Sequence, residues 1–205
     1  MTDDVKSKKP SAEQPSFQFI SGHRALDFVA TLAERYRDGI EHLREPADLD
    51  RWLRSAGISA SRPAVAQDLR HARQLREVIY RLARALACKE LADNQDITEL
   101  NAWARHPRLV PQLDSGLRRT WWVSAQPVRG ALALMACEAI ELISGPEREL
   151  IRECAAAPEC SRLYLDRSRG GRRRWCQMEK CGSRAKMAQY RKRRSQEDDP
   201  DSTER

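Results

Sequence analysis

A chain of 205 residues with 33% charged and 40% hydrophobic residues suits one domain of ordinary size plus a small appendage. The formal net charge is +7, and much of that excess sits near the C-terminal end, so the basic character is local. No apolar run approaches the ~18 residues of a membrane span, and Met1 to Ser16 lacks the apolar segment of a secretory signal, so a cytoplasmic protein without a membrane partner is expected. In that compartment thiols stay reduced, and clustered cysteines read as metal ligands rather than disulfides.

Residues 1–16, rich in Lys, Ser, Pro and acids, read as a disordered tail. Phe17 to Ile20 reads as a short strand or an extended lead-in. A helix follows from about Gly22 to Leu32, with Ala25, Leu26, Val29 and Leu32 at helical spacing on one face. Asp27 lies beside those apolar residues; a backbone or arginine partner is expected for it rather than a ligand. Glu45 to Leu53 predicts a short helix with Pro46 in its first turn and Gly57 as its stop. The longest helical pattern runs from about Arg62 to Lys89. Leu69, Ala72, Leu75, Val78, Ile79, Leu82 and Leu86 form its stripe, and Arg70, Arg73, Arg76, Arg81 and Arg84 are expected on a solvated face.

Asn94 or Asp96 can cap the next helix, which carries Leu100 and Trp103 and ends by Pro107. Residues 109–113 and 118–123 flank Asp114-Ser115-Gly116, a β-hairpin pattern that sends Trp121 and Trp122 to opposite faces, one buried and one partly exposed. Pro127 then opens a helix that is apolar nearly all round and should be central to the domain, broken at Ser144-Gly145-Pro146. Glu147 to Glu153 reads as a short helical turn. Cys88 and Cys137 stand alone within apolar patterns and are expected as small core residues.

The remaining four cysteines, Cys154, Cys160, Cys176 and Cys181, are spaced C-x5-C-x15-C-x4-C. Two close pairs across a short span suit a tetrahedral zinc site. Between the pairs, Ser161 to Leu165 and Arg172 to Trp175 flank Arg169-Gly170-Gly171, which predicts a second hairpin. A helix can start at Gly182-Ser183, because residues 184–194 contain neither proline nor glycine. From Arg169 to Arg194 the only acid is Glu179 among a dense set of arginines and lysines. Charge of one sign at that density asks for a polyanion, with nucleic acid the commonest in a cell. The candidate contacts are Arg172, Arg173 and Arg174 from the hairpin and Arg184, Lys186, Tyr190, Arg191 and Arg193 from the helix. Tyr164 and Trp175 are expected to pack within the unit. Residues 196–205 read as a disordered acidic tail.

The stretch Trp175-Cys176-Gln177-Met178-Glu179-Lys180-Cys181-Gly182-Ser183-Arg184 resembles the CGNR zinc finger family of bacterial proteins, as do Leu165 to Ser168. Asp27, Phe28 and Thr31 are similar to the opening motif of the ABATE domain found N-terminal to such fingers. Two positions depart from the pattern: Ser183 replaces the eponymous Asn, and Ala30 replaces an Asn of the ABATE motif. Serine can still cap a helix N-terminus. The resemblance implies a stress-linked transcription regulator.

The expected fold is mainly α: a helical N-terminal domain with a small β-hairpin, plus a C-terminal treble-clef-like zinc finger. The expected divisions are 17–147 for the ABATE-like domain and 148–195 for the finger. No enzyme is expected, because His23, His42, His71 and His106 are scattered and no nucleophile or phosphate-loop motif occurs. The function expected is zinc-dependent DNA binding, with the helical domain as a sensor or dimerisation module. A small-molecule effector and an oligomer are compatible with that role. An RNA-binding or ribosome-associated protein, or an adaptor that docks an acidic partner, is the alternative.

Overall fold

The apolar stripes of the sequence converge on one core. In the computed structural model, which describes residues 17–122 and 125–197, the first helix α1 spans Arg24–Val29. It stops short of Leu32 because the Thr31 hydroxyl donates to the Phe28 carbonyl at 2.7 Å, a local bond that competes with further helix. The chain then forms β1 (Leu32–Ala33), paired antiparallel with β2 (Ile40–Glu41). Residues 17–20 belong to no sheet. The Ile20 and Ser21 amides donate to buried Asp27 at 3.0 and 2.9 Å, so that acid has the backbone partners expected of it.

Helix α2 spans Pro46–Ser55, and Gly57 follows it with φ +73°, a conformation that glycine adopts without strain. Helix α3 (Ala66–Cys88) begins later than Arg62, because the residue before Pro63 is pushed out of the helical region and Val65 is extended. Asp50 and Asp68 accept the Ala64 and Val65 amides at 2.9 and 3.0 Å and fix that entry. Helix α4 spans Asn94–Ala104. Its cap is Asp93, not Asn94 or Asp96; Asp96 is buried against the Arg81 guanidinium.

Strands β3 (Val110–Leu113) and β4 (Arg119–Trp122) form the expected hairpin. Neither tryptophan is fully buried. Trp121 leans on the core and donates its indole N–H to the Gly57 carbonyl at 3.2 Å, while Trp122 is 52% exposed. Helix α5 (Pro127–Ser144) is central, burying Ala131, Leu132, Met135 and Ala136 against α1, α3 and α4. A 3-10 turn over Pro146–Leu150 follows, so the expected helical turn covers only the first part of Glu147 to Glu153. The rest is β5 (Ile151–Glu153), antiparallel to β6 (Leu163–Leu165). Ile151, Leu163 and Leu165 join the same buried cluster as Phe28, Leu75 and Leu132, so the core runs on past the break at Gly145. Of the tail expected at 196–205, residues 196 and 197 instead end the last helix, Ser183–Glu197; the rest of it, and the tail expected at 1–16, lie outside the described residues.

Two side chains depart from expectation. Cys88 is exposed at the end of α3, whereas Cys137 is half-buried. Arg76 is not on a solvated face: it is 3% exposed and bonds both Glu41 carboxylate oxygens, at 2.6 and 2.8 Å, and Glu77 at 2.8 Å. At 3.6 residues per turn Arg76 falls between Ala72 and Leu69, within the stripe; its charge suggested solvent, but the β1–β2 hairpin folds over that edge of α3 and supplies Glu41. Removing one partner of such a buried network is costly, so Arg76→Ala should lose about 3–5 kcal/mol in urea unfolding. Burial alone would raise the Glu77 carboxyl, but hydrogen bonds from Arg35 and Arg76 outweigh it and hold its pKa below the usual value. Its stabilisation is therefore present above the unfolded carboxylate pKa and lost as pH falls through the lower folded one. Unfolding midpoints measured against pH should fall in that acid range, and Glu77→Gln should flatten the fall.

Candidate metal centre

The second half of the chain brings four sulfur atoms together. Strand β5 delivers Cys154, whose amide donates to the Arg162 carbonyl at 3.0 Å. A short loop returns through Cys160, whose amide donates to Ala156 O at 3.0 Å. After β6, buried Asp166 organises a loop: its carboxylate accepts the Ser168 amide at 2.9 Å, the Ser168 hydroxyl at 2.5 Å and the Arg173 amide at 3.1 Å. Burial acts to raise this acid's pKa, and those bonds outweigh it and lower it. Gly170 and Gly171, at φ +82° and +62°, make the reversal.

The returning segment does not pair with β6, which corrects the hairpin expected between residues 161–165 and 172–175. The hydrogen-bonding edge of β6 is taken by β5, and the Asp166 loop lifts the chain across the first cysteine loop instead. There the Ala155 amide donates to the Arg174 carbonyl at 2.9 Å. Tyr164, fully buried, donates its hydroxyl to the Arg173 carbonyl at 2.6 Å. The Arg173 guanidinium lies 4.5 Å over the Tyr164 ring and donates to the carbonyls of Trp175 and Cys176. Tyr164, Asp166 and Arg173 together set the second cysteine pair against the first. Sequence reasoning missed this arrangement; the acid-turn pattern Asp166-Arg167-Ser168 was its one visible trace.

Cys176 precedes, and Cys181 lies within, a wide helical turn over Met178–Gly182 that leads into α6 (Ser183–Glu197). Ser183 is thus inside a continuous helical run rather than at its cap, and its hydroxyl points back to the Met178 carbonyl at 3.4 Å. All four sulfurs lie within 4.8 Å of one another. The Cys160–Cys176 and Cys176–Cys181 sulfur separations are 3.7 and 3.6 Å. A disulfide needs about 2.05 Å. A tetrahedral ion with metal–sulfur bonds of ~2.3 Å needs sulfurs about 3.8 Å apart, so the observed spacing fits one shared metal ion. Without a cation the thiols share charge: hydrogen bonds from Cys160 and Cys176 lower the Cys154 pKa, and the same bonds raise the other two. The cysteines, Tyr164 and half-buried Trp175 form a small buried cluster of their own.

The basic candidates fall into two groups. Arg172 and Arg174 are exposed, with Arg174 lying 5.0 Å over the Trp175 ring, whereas Arg173 is half-buried and used within the fold. Arg184, Lys186, Tyr190, Arg191 and Arg193 are exposed along α6, with Tyr190 at 58%. At 3.6 residues per turn, Arg184 and Arg191 share one flank of α6, while Lys186, Tyr190 and Arg193 lie roughly opposite.

Chelation under reducing conditions should deprotect the amides of residues 154–160 and 166–190 in hydrogen exchange. Core helices α3 and α5 should keep theirs, because their burial does not involve the sulfurs. Tyr164→Phe should cost about 0.5–1.5 kcal/mol of stability, the worth of one hydrogen bond.

Residues 22–146 match the family model ABATE, described as "Putative stress-induced transcription regulator", and residues 151–194 match the model described as "CGNR zinc finger". No curated protein matches the chain. The first match spans more than half of the 205 residues, so the chain belongs to the ABATE family and carries a CGNR zinc finger after that domain.

Proposed function

We propose that this protein is a zinc-dependent DNA-binding transcription regulator whose zinc is structural. The observation that carries the reading is the exposed basic helix α6, which leaves the sulfur cluster directly through Cys181. Four thiolates complete a tetrahedral ion and leave no open position for a substrate, which supports a non-catalytic role. The borderline-soft character of zinc suits an all-thiolate set. Reduced thiols suit a cytoplasmic setting, and no described helix is long and apolar enough to cross a membrane.

In this reading α6 enters a groove of the duplex. Its two charged flanks, Arg184 with Arg191 and Lys186 with Arg193, then meet phosphates on either side, and Arg172 and Arg174 add contacts from the preceding loop. Arginines on the helix can also read guanine in the major groove, and exposed Tyr190 offers an aromatic face. Arg173 is a positioning residue, since its guanidinium serves the carbonyls of Trp175 and Cys176. The ABATE domain acts as the sensor or dimerisation module.

With about six phosphate contacts, affinity should fall with salt on a log–log slope near −5. The double variant Arg184→Ala/Arg191→Ala should bind duplex DNA more weakly and make that slope shallower by about 2. Gel-shift titration at several salt concentrations measures both. Unchanged affinity and slope would contradict the reading. Stronger binding to structured RNA than to duplex DNA would favour the ribosome-associated alternative.

A further inference from the structure

Between the two charged flanks of α6 runs a stripe of different character. At about 100° per residue, Ser183, Met187, Tyr190 and Arg194 fall within one sector of about 60°. Arg184 and Arg191 lie about 80° to one side of its centre, and Lys186 and Arg193 about 80° to the other. The stripe is thus the midline of the basic surface. It also faces away from the body of the finger. Cys181 and Gly182, which lead into the helix, are buried, and half-buried Ala185 lies on the opposite side of α6 from the stripe.

Met187 and Tyr190 make the middle of this stripe apolar. They are 52% and 58% exposed and one turn apart, in a helix whose other exposed side chains are mostly cationic. Apolar surface held in water at this place gains by burial in a partner. At the head of the stripe the Ser183 hydroxyl turns back to the Met178 carbonyl at 3.4 Å, so it is drawn to its own backbone. Two apolar side chains are too few to seat the helix on a lipid surface, which takes a whole apolar face. A polyanion with apolar groups between two rows of charge matches the surface. In the major groove of a duplex the apolar group on a base edge is the thymine C5-methyl, and phosphates run along both sides of it. A methionine carries no donor and only a weakly accepting sulfur, so it is poorly suited to the hydrogen-bonding edges of the other bases.

We propose that Met187 is a specificity-determining residue, packing its thioether on a thymine methyl in the major groove with Tyr190 beside it shielding that contact from water. The bound sequence then carries thymine beneath the middle of α6. This rests on the proposed DNA binding and deepens it: the cationic flanks supply affinity on any sequence, and the apolar midline chooses among sequences.

The test starts from duplexes selected out of a random pool by the full-length, reduced, zinc-loaded chain. In one selected duplex each thymine is replaced in turn by deoxyuridine, which removes only the methyl and keeps the base pair. Gel-shift affinities are then measured for the unaltered chain and for Met187→Ala, a change to a good helix former at an exposed site. For the unaltered chain at least one replacement should weaken binding about fourfold, the worth of one buried methyl. Met187→Ala should leave thymine and deoxyuridine within about twofold of each other at that position. Its salt slope should stay unchanged, because no phosphate contact is lost. Gln189→Ala, well off the stripe, should keep the fourfold difference. Selected duplexes that share no thymine, no effect of deoxyuridine at any position, or the same effect in Met187→Ala as in the unaltered chain would each overturn the proposal and leave DNA binding standing. Absence of duplex binding altogether would overturn both, so the two failures are distinguishable.

Discussion

Four sulfur atoms within 4.8 Å of one another impose the condition on which the rest of the finger depends. Two thiolates about 3.7 Å apart repel by roughly 4 kcal/mol at an effective dielectric of about 20, and the cluster contains several such pairs. They cannot all ionise unless a cation lies among them. With a cation present, that repulsion becomes the attraction that closes the unit. The segment has little else to close it, since its own buried cluster beyond the sulfurs holds only Tyr164, with Ala156 and Trp175 partly buried. A metal ion therefore stands in for a hydrophobic core that the segment is too short to build.

The finger is nevertheless not a bead on a string. Strands β5 and β6 carry Ile151, Leu163 and Leu165 into the core of the helical domain, and the same strands deliver Cys154 and, through Tyr164, the seat of Arg173. Alternation along β6 makes this economical: Leu163 and Leu165 face the helices while Tyr164 faces the cysteines. Asp166 then ties the next loop to the Arg173 amide. Among the described residues the fold comprises helices α1 to α5 with two short strand pairs, and a finger whose strands, cysteine loops and helix wrap the sulfurs in a treble-clef-like manner. Its hairpin, β5–β6, encloses the first cysteine pair rather than following it.

Long periodic patterns were legible in the sequence because burial enforces them. Helices α3 and α5 follow their stripes, and the 110–122 hairpin follows its turn residues. The four metal-ligand candidates were legible from their spacing together with the resemblance to the CGNR finger. What escaped was set by distant partners. Arg76 was read as solvated from its charge although it lies within the stripe of α3, and the partner that makes its burial possible, Glu41, comes from distant β2. Ile151 to Glu153 lies after a proline and among acids, so its strand character emerges only when β6 offers an edge. Ser161 to Leu165 did read as a strand, but its partner was taken to be the arginine run, because a glycine turn joins those two segments in sequence. Ser183 matched a cap pattern, but the helical run already begins at Met178. The Tyr164–Asp166–Arg173 arrangement left only a short acid-turn trace, because residues of three types, unremarkable singly, act together there.

The most direct measurement is cobalt(II) substitution of the reduced chain, followed by absorption spectroscopy with native mass spectrometry of the same sample. The account predicts one ion per chain, with the intense ligand-field and sulfur-to-metal charge-transfer bands of a tetrahedral tetrathiolate site, both lost in Cys176→Ser. A chain that takes up no metal and keeps residues 154–190 protected in hydrogen exchange would contradict it.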